Sequence, residues 1–391
     1  MEGYTMEKNS FFYCIILLAV FSCKQQDRKE KTLAENTVTD TAQVTATIKY
    51  AQGFTIDYHD GYKLVHVLDR EGGKTDTLEY LLVERGHPAP SGYPHAQVIP
   101  IPVTSIVAMS STHIGIADFA GVADRITGLG SLQYVNSPIV RANIKAGKTV
   151  QVGMDANLNN ELLISMHPGL VMAGSNPDAS TGQYKVLTKA GIPVVMNAEW
   201  LESTPLGKAE WVKLMAAFVN KEAVVNRKFD SVAKTYEDLV LLGSKAKTHP
   251  RVIIGMPFKG TWYLPSGDSY MTHFIRDAGG DYKWADNKGT GSLALSFESA
   301  APEALTADYW MNIGPESSKE EIAARDIRYT GFRSFKTGQL YNNNKRTNDL
   351  GSNDYWESGA VNPQLILEDM ISILHPELLP GHILVYYKQL L

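Results

Sequence analysis

The stretch Asn220-Lys-Glu-Ala-Val-Val-Asn-Arg-Lys-Phe-Asp-Ser-Val-Ala-Lys-Thr-Tyr-Glu-Asp-Leu-Val-Leu-Leu-Gly243 decides the fold. Val225, Phe229, Val232, Tyr236 and Leu239 recur at steps of 4, 3, 4 and 3, which lines them along one face of a helix. Asn220 is suited to the N-cap, Glu222 to a first turn where the helix dipole favours an acid, and Gly243 to the C′ position. At 1.5 Å per residue the segment predicts a rod of about 34 Å, roughly the size of one lobe. Neither proline nor glycine falls within 220–242, so nothing in the sequence invites a kink. A second helix is expected just upstream, with Thr204 as cap and Pro205 at its first position, burying Trp211, Leu214, Met215 and Phe218.

On either side of this rod the chain repeats one pattern. Short apolar runs, Ser105–Met109, Leu170–Ala173 and Pro193–Met196, alternate with helical stretches, as βα units of a parallel sheet do. A second series follows Pro250, with strands expected at Arg251–Met256 and Asp308–Asn312. Upstream, Thr47–Glu84 is punctuated by Gly53, Asp60-Gly61 and Gly72-Gly73, the spacing of antiparallel hairpins. The expected class is α/β: two lobes with central parallel sheets joined by one long helix, preceded by a short antiparallel β leader. The residues from Thr47 onward, about 345, also exceed what one core usually holds.

The amino terminus addresses compartment. Lys8 precedes the apolar run Phe11–Ser22, too short to span a bilayer, which takes about 20 residues. Ser22-Cys23 behind Val20 resembles a bacterial lipoprotein cleavage box, so residues 1–22 are expected to be a signal peptide and Cys23 the lipidated first residue. The only other cysteine, Cys14, would leave with the signal. Residues 23–45 are polar and contain no aromatics, which predicts a flexible tether. The expected organisation is then an N-terminal lobe with its leader over 46–219, a bridging helix over 220–245 and a C-terminal lobe over 246–391. The protein would face the periplasm or the cell surface and touch membrane through its lipid alone. With a net charge of −5 and no basic run beyond the tether, a nucleic-acid partner is not expected.

Taken in order, several segments resemble the iron-siderophore and cobalamin substrate-binding proteins of ABC importers, the helical-backbone class of periplasmic binding proteins. Val107–His113 resembles that family's first strand and cleft-facing loop. Asn157–Gly174, with Glu161 and His167-Pro168-Gly-Leu-Val-Met172, resembles its N-x-E and x-P-D-L-V run, although Gly169 stands where the family has Asp. Asn197–Gly207, Gly260–Tyr263 with Gly267–Tyr270, and Asn353–Glu357 resemble a lipoprotein branch of the same family. The resemblance covers about residues 100–391 and implies two lobes that close only modestly on a metal complex. It also implies an ABC permease partner, docked through one glutamate per lobe: Glu161 and Glu298 stand at the matching positions. A carboxylate accepts both fork hydrogens of an arginine, so two such pairs would set register on a transporter.

For the ligand, loop aromatics carry most weight, because Trp and Tyr cover flat apolar faces with little lost rotamer freedom. Trp200, Trp262, Tyr263 and Trp356 lie near expected strand ends, where open α/β sheets bind ligands. Arg333 and Lys259 are candidates to neutralise an anionic complex. Ser111, with its neighbours Ser110 and Thr112, offers hydroxyls and helix-start amides, and capping is the competing role. His113 is an axial ligand to a metal macrocycle, a pH-sensitive rim residue, or an ordinary satisfied histidine that binds nothing.

No His-Glu-x-x-His, Cys-x-x-Cys, Gly-x-Ser-x-Gly or Gly-Lys-Ser/Thr phosphate loop occurs, and the acid pairs Asp354/Glu357 and Glu199/Glu202 are weak evidence for catalysis. The expectation is therefore a binding protein, not an enzyme, with no resident cofactor and no protein-held metal. Its cargo would be an iron(III)-siderophore-type metal chelate for the permease. Cobalamin or haem on the same fold, or hand-over to an outer-membrane receptor, are the alternatives.

Overall fold

The computed structural model describes residues 44–69, 76–154, 157–174 and 181–391; Cys23 and the expected signal and tether lie outside them. The rod is present as a 22-residue helix, Glu222–Gly243, about 33 Å long. Val225, Phe229, Val232, Tyr236 and Leu239 are all buried along it, as the spacing requires. Its start differs from expectation. Asn220 adopts a left-handed conformation (φ 56°) that ends the preceding helix, Val212–Val219, and Lys221 takes the N-cap position. The short Asn side chain tolerates that backbone region, which suits it to the sharp turn between two helices. Gly243 is the last helical residue, and the reason for glycine is packing: a Cβ there would lie 2.2 Å from the Asp277 carbonyl oxygen.

The upstream helix starts as expected, Thr204 accepting the Gly207 N–H over Pro205–Glu210, but breaks at Trp211 before Val212–Val219 resumes. Trp211, Leu214, Met215 and Phe218 are buried.

Fifteen described strands form four sheets. The leader holds β1 (Phe54–His59), β2 (Tyr62–Asp69) and β3 (Asp76–Glu84), antiparallel, and adds β4 (Gln97–Ile101) parallel to β3. The leader is thus antiparallel over its first three strands, as its spacing predicts, and closes with a parallel fourth beyond the Thr47–Glu84 segment. Two buried carboxylates fasten the segment before β1 to the first lobe: Glu210 accepts the amides of Lys49, Tyr50 and Ala51, and Glu202 those of Gln52 and Gly53. Lys63 on β2 donates to the Ala217 carbonyl and to the Asn220 and Glu222 side chains, fixing the leader to the rod's start.

The first lobe is a five-stranded parallel sheet of β5 (Ile106–Ala108), β6 (Ile126–Leu129), β7 (Val150–Gln151), β8 (Leu170–Gly174) and β9 (Val194–Asn197), in the order 7-6-5-8-9. Connections leave β5 and β8 toward opposite edges, which opens a crevice at their carboxyl ends. The second lobe sets β10 (Val252–Ile254), β13 (Tyr309–Met311) and β14 (Leu340–Asn342) parallel, with β15 (Lys388–Gln389) antiparallel at the edge. Between β10 and β13 in sequence, β11 (Thr261–Pro265) and β12 (Ser292–Ser296) make a separate antiparallel pair. One continuous core runs from Ile106 and Met172 of the first lobe through Val225 and Phe229 of the rod to Met271, Met311 and Ile371 of the second. No described helix is long and apolar enough to cross a membrane.

Candidate functional site

The carboxyl ends of β10, β13 and β14 open into a cavity of about 640 Å³. Its described lining comes from the second lobe: the ends of the three strands supply Ile254, Asn312 and Asn343, the hairpin supplies Tyr263, and the following segments supply Tyr270 and Trp356. Strands aim backbone termini at this space, and the loops after them carry the side chains, the placement expected of ligand sites in open α/β sheets.

Trp356 stands at the waist. It lines the large cavity and also a small apolar pocket shared with Pro205 and Lys208 of the first lobe, and it is 46% exposed. Its carbonyl accepts the Thr112 hydroxyl at 3.2 Å, from the helix Ser111–Phe119 that follows β5. The next residue completes the join. Glu357 is buried and its two carboxylate oxygens accept the amides of Asn136 (2.7 Å) and Ser137 (2.6 Å), at the start of the first-lobe helix Pro138–Lys145. Burial pushes its carboxyl up to about 7, against the pull of those two N–H groups. Around it, Asn348 donates to the Val135 carbonyl, Asn136 to the Ser352 hydroxyl, and Arg141 pairs with Asp349 at 3.1 Å. Gly115 leaves room for the strap, since a Cβ there would lie 2.2 Å from the Glu357 carbonyl.

The sequence candidates separate on this geometry. Tyr263 (55% exposed) and Trp356 line the cavity. Ser111, half-buried, begins the waist helix whose cap is Ser110, the Ser110 hydroxyl accepting the Thr112 N–H. Trp200 sits half-buried on the short turn Glu199–Leu201 after β9, outside the residues that line the large cavity.

Three candidates are corrected. Trp262 is fully buried, stacks with Phe297 and Phe332, and donates its ring N–H to the Ile254 carbonyl; on β11 it faces opposite to Tyr263, because side chains alternate along a strand. His113 is 1% exposed inside the Ser111–Phe119 helix, and burial lowers its pKa to about 3, so it is a neutral core residue. Arg333 pairs with Asp308 at 2.9 Å, beside the amino end of β13 and away from the carboxyl ends that form the cavity.

Lys259 lies over the Phe258 ring and lines a different cavity of about 600 Å³ with Arg325 and Arg328. The acid pairs are structural: Glu202 accepts from the Trp211 ring N–H, Glu199 lies 3.8 Å from Lys208, and Asp354 pairs with Arg346 at 2.8 Å. Glu161 and Glu298 each sit exposed in the first turn of a capped helix, Asn160–Met166 and Phe297–Ala304. Glu298 reaches Arg328 only at 3.8 Å, leaving its carboxylate open to solvent. Sequence reasoning passed over Asn312, Asn343 and Asn344, although the run Tyr341-Asn-Asn-Asn-Lys345 at a strand's end was the available signal. Among the described residues no group of three or more His, Cys, Asp or Glu side chains is placed to hold a metal ion.

A family model described as periplasmic binding protein matches residues 106–347. An uncharacterized lipoprotein of Methanocaldococcus jannaschii is 28% identical over 402 aligned positions, covering 94% of this chain and 92% of its own. Among solved structures, a possible iron-binding periplasmic solute-binding protein from Staphylococcus epidermidis superposes with a TM-score of 0.54 at 17% identity, covering 70% of this chain and 99% of its own. Helicobacter pylori CeuE with Ni(II) bound gives 0.54 at 20% identity, over 73% of this chain and 88% of its own. The matched span begins at β5 and ends in the loop after β14, so it takes in the five-stranded sheet, the rod and the three parallel strands of the second lobe: the chain belongs to the periplasmic binding protein family, a family of binding proteins and not of enzymes.

Proposed function

We propose that this protein is the solute-binding component of an ABC importer, that it captures a metal complex of the iron(III)-siderophore type in the cavity beside Trp356, and that it presents the complex to a permease. The observation that carries the reading is the cavity itself: about 640 Å³ at the carboxyl ends of three second-lobe strands, with Tyr263, Tyr270 and Trp356 on its walls. That volume lies within the range of small-molecule sites and accommodates a chelate, with aromatic faces to cover its flat surfaces. The iron and Ni(II) named for the two structural neighbours support a metal-bearing cargo. Exposed Glu161 and Glu298, one on each lobe, supply the two anions with which the protein docks on permease arginines. Lipidated Cys23 holds it to a membrane facing the periplasm or cell surface.

The test is the absorption spectrum of protein purified from its native host. A ferric chelate gives a broad visible charge-transfer band that chelation of the iron removes. A Soret band or corrinoid bands would overturn the siderophore assignment in favour of haem or cobalamin. A colourless preparation that none of the three ligands then saturates would overturn the metal-complex reading.

A further inference from the structure

We infer that the cavity beside Trp356 selects a chelate of low net charge that carries amide or hydroxamate groups, and discriminates against polyanionic complexes. The inference rests on the proposed function and narrows its ligand.

The charged groups near the cavity decide this. Lys388 is the one charged side chain among its described lining residues, whereas Asn312, Asn343, Asn344, Asn353 and Thr347 give it neutral amides and a hydroxyl. Among other second-lobe cations, Lys345, next to Asn344, donates to the Leu384 carbonyl. Arg346 pairs with Asp354, Arg333 with Asp308, and Lys259 lines the separate cavity. The chain as a whole carries −5. A trianionic complex seated beside a single lysine would leave most of its charge buried without a partner, a heavy cost in a site partly screened from water.

A neutral chelate avoids that cost, and the asparagines fit it in kind. Each primary amide both donates and accepts, so it pairs with the N–H and C=O of ligand amides in either orientation. Two of these side chains also hold an acceptor without a partner. The Asn344 amide oxygen is buried without a hydrogen-bond partner and its nitrogen makes one long contact, to the Glu316 carbonyl at 3.4 Å; the Asn312 amide oxygen is likewise without a partner, while its nitrogen lies 3.7 Å from the Met271 sulfur and its side chain also interacts with the Tyr355 and Tyr387 hydroxyls. Little is lost when such an amide turns toward a ligand N–H, and a buried orphan acceptor is relieved.

The test is titration of the protein's tryptophan fluorescence with two ferric probes of similar size. One is ferrichrome, a neutral peptide-based trihydroxamate complex; the other is ferric enterobactin, a trianionic tris-catecholate. The expected result is at least about tenfold tighter binding of ferrichrome. Asn344→Ala should weaken ferrichrome severalfold. Ser292→Lys, which adds a cation at an exposed position on the lining, should improve ferric enterobactin relative to ferrichrome. Equal or tighter binding of ferric enterobactin by the wild type, or no response of either probe to Ser292→Lys, overturns the inference and leaves the metal-complex function standing. If neither probe binds, the siderophore function and this inference fall together.

Discussion

Trp262 and Trp356 lie in comparable Gly- or Ser-containing segments near strand ends, yet one is sealed in the second lobe's core and the other stands 46% exposed at the waist. The difference has direct consequences. Trp262→Ala should cost about 3–5 kcal/mol of stability, because it empties the centre of an aromatic cluster. Trp356→Ala should leave the melting temperature nearly unchanged and weaken ligand binding about tenfold, close to 1.4 kcal/mol. Calorimetry and titration of the two variants separate the roles; loss of stability without loss of binding in Trp356→Ala would reverse the assignment. Residue type alone could not tell these tryptophans apart: Trp262 sits on the inward face of β11, which was not among the expected strands, whereas Trp356 sits on the short turn Asp354–Trp356. The same limit explains His113. Its segment, Val107–His113, was legible as the first strand and a helix start at Ser110–Thr112, but which face of that helix turns inward, and His113 with it, was not.

The elements show the reverse balance. The rod was readable because five apolar residues at helical spacing admit one arrangement, and all five are buried where the spacing puts them. Gly243→Ala should destabilise the protein by about 1–3 kcal/mol in chemical denaturation, because a Cβ meets the Asp277 carbonyl with no side chain free to yield. An unchanged midpoint would show that the Asp277 turn adjusts.

The strap that carries Trp356 was not readable, since its function depends on Glu357 finding two amides more than two hundred residues away in sequence. Its titration is testable. Unfolded, Glu357 titrates near 4.5; folded, burial raises it to about 7, so the native state holds the proton more tightly. Glu357's contribution to stability is therefore fully present below about 4.5 and is lost as pH rises through about 7. The wild type minus Glu357→Gln difference in melting temperature should shrink between pH 5 and pH 8. A difference that is flat or grows over that range would contradict the raised pKa.

At the scale of the molecule, two sheets share one core across the rod, and the Glu357 strap joins them again on a second side. A helix without proline or glycine in its interior resists sharp bending, so wide hinge motion would have to break both connections. Docking belongs to this scale as well. Glu161→Ala combined with Glu298→Ala should abolish uptake while leaving ligand affinity intact, because both carboxylates are exposed and neither is among the residues that line the cavity. Undiminished uptake in a transport assay would remove the permease assignment for these residues.

Held by the rod and the Glu357 strap, the pocket should be shaped before its ligand arrives. Nitroxide labels at Lys145→Cys in the first lobe and Lys283→Cys in the second, both exposed, report the distance between lobes by pulsed electron resonance. One narrow distance population is predicted for the ligand-free protein, shifting by under about 2 Å on saturation with ferrichrome. A broad or two-peaked ligand-free distribution that collapses on binding would contradict it.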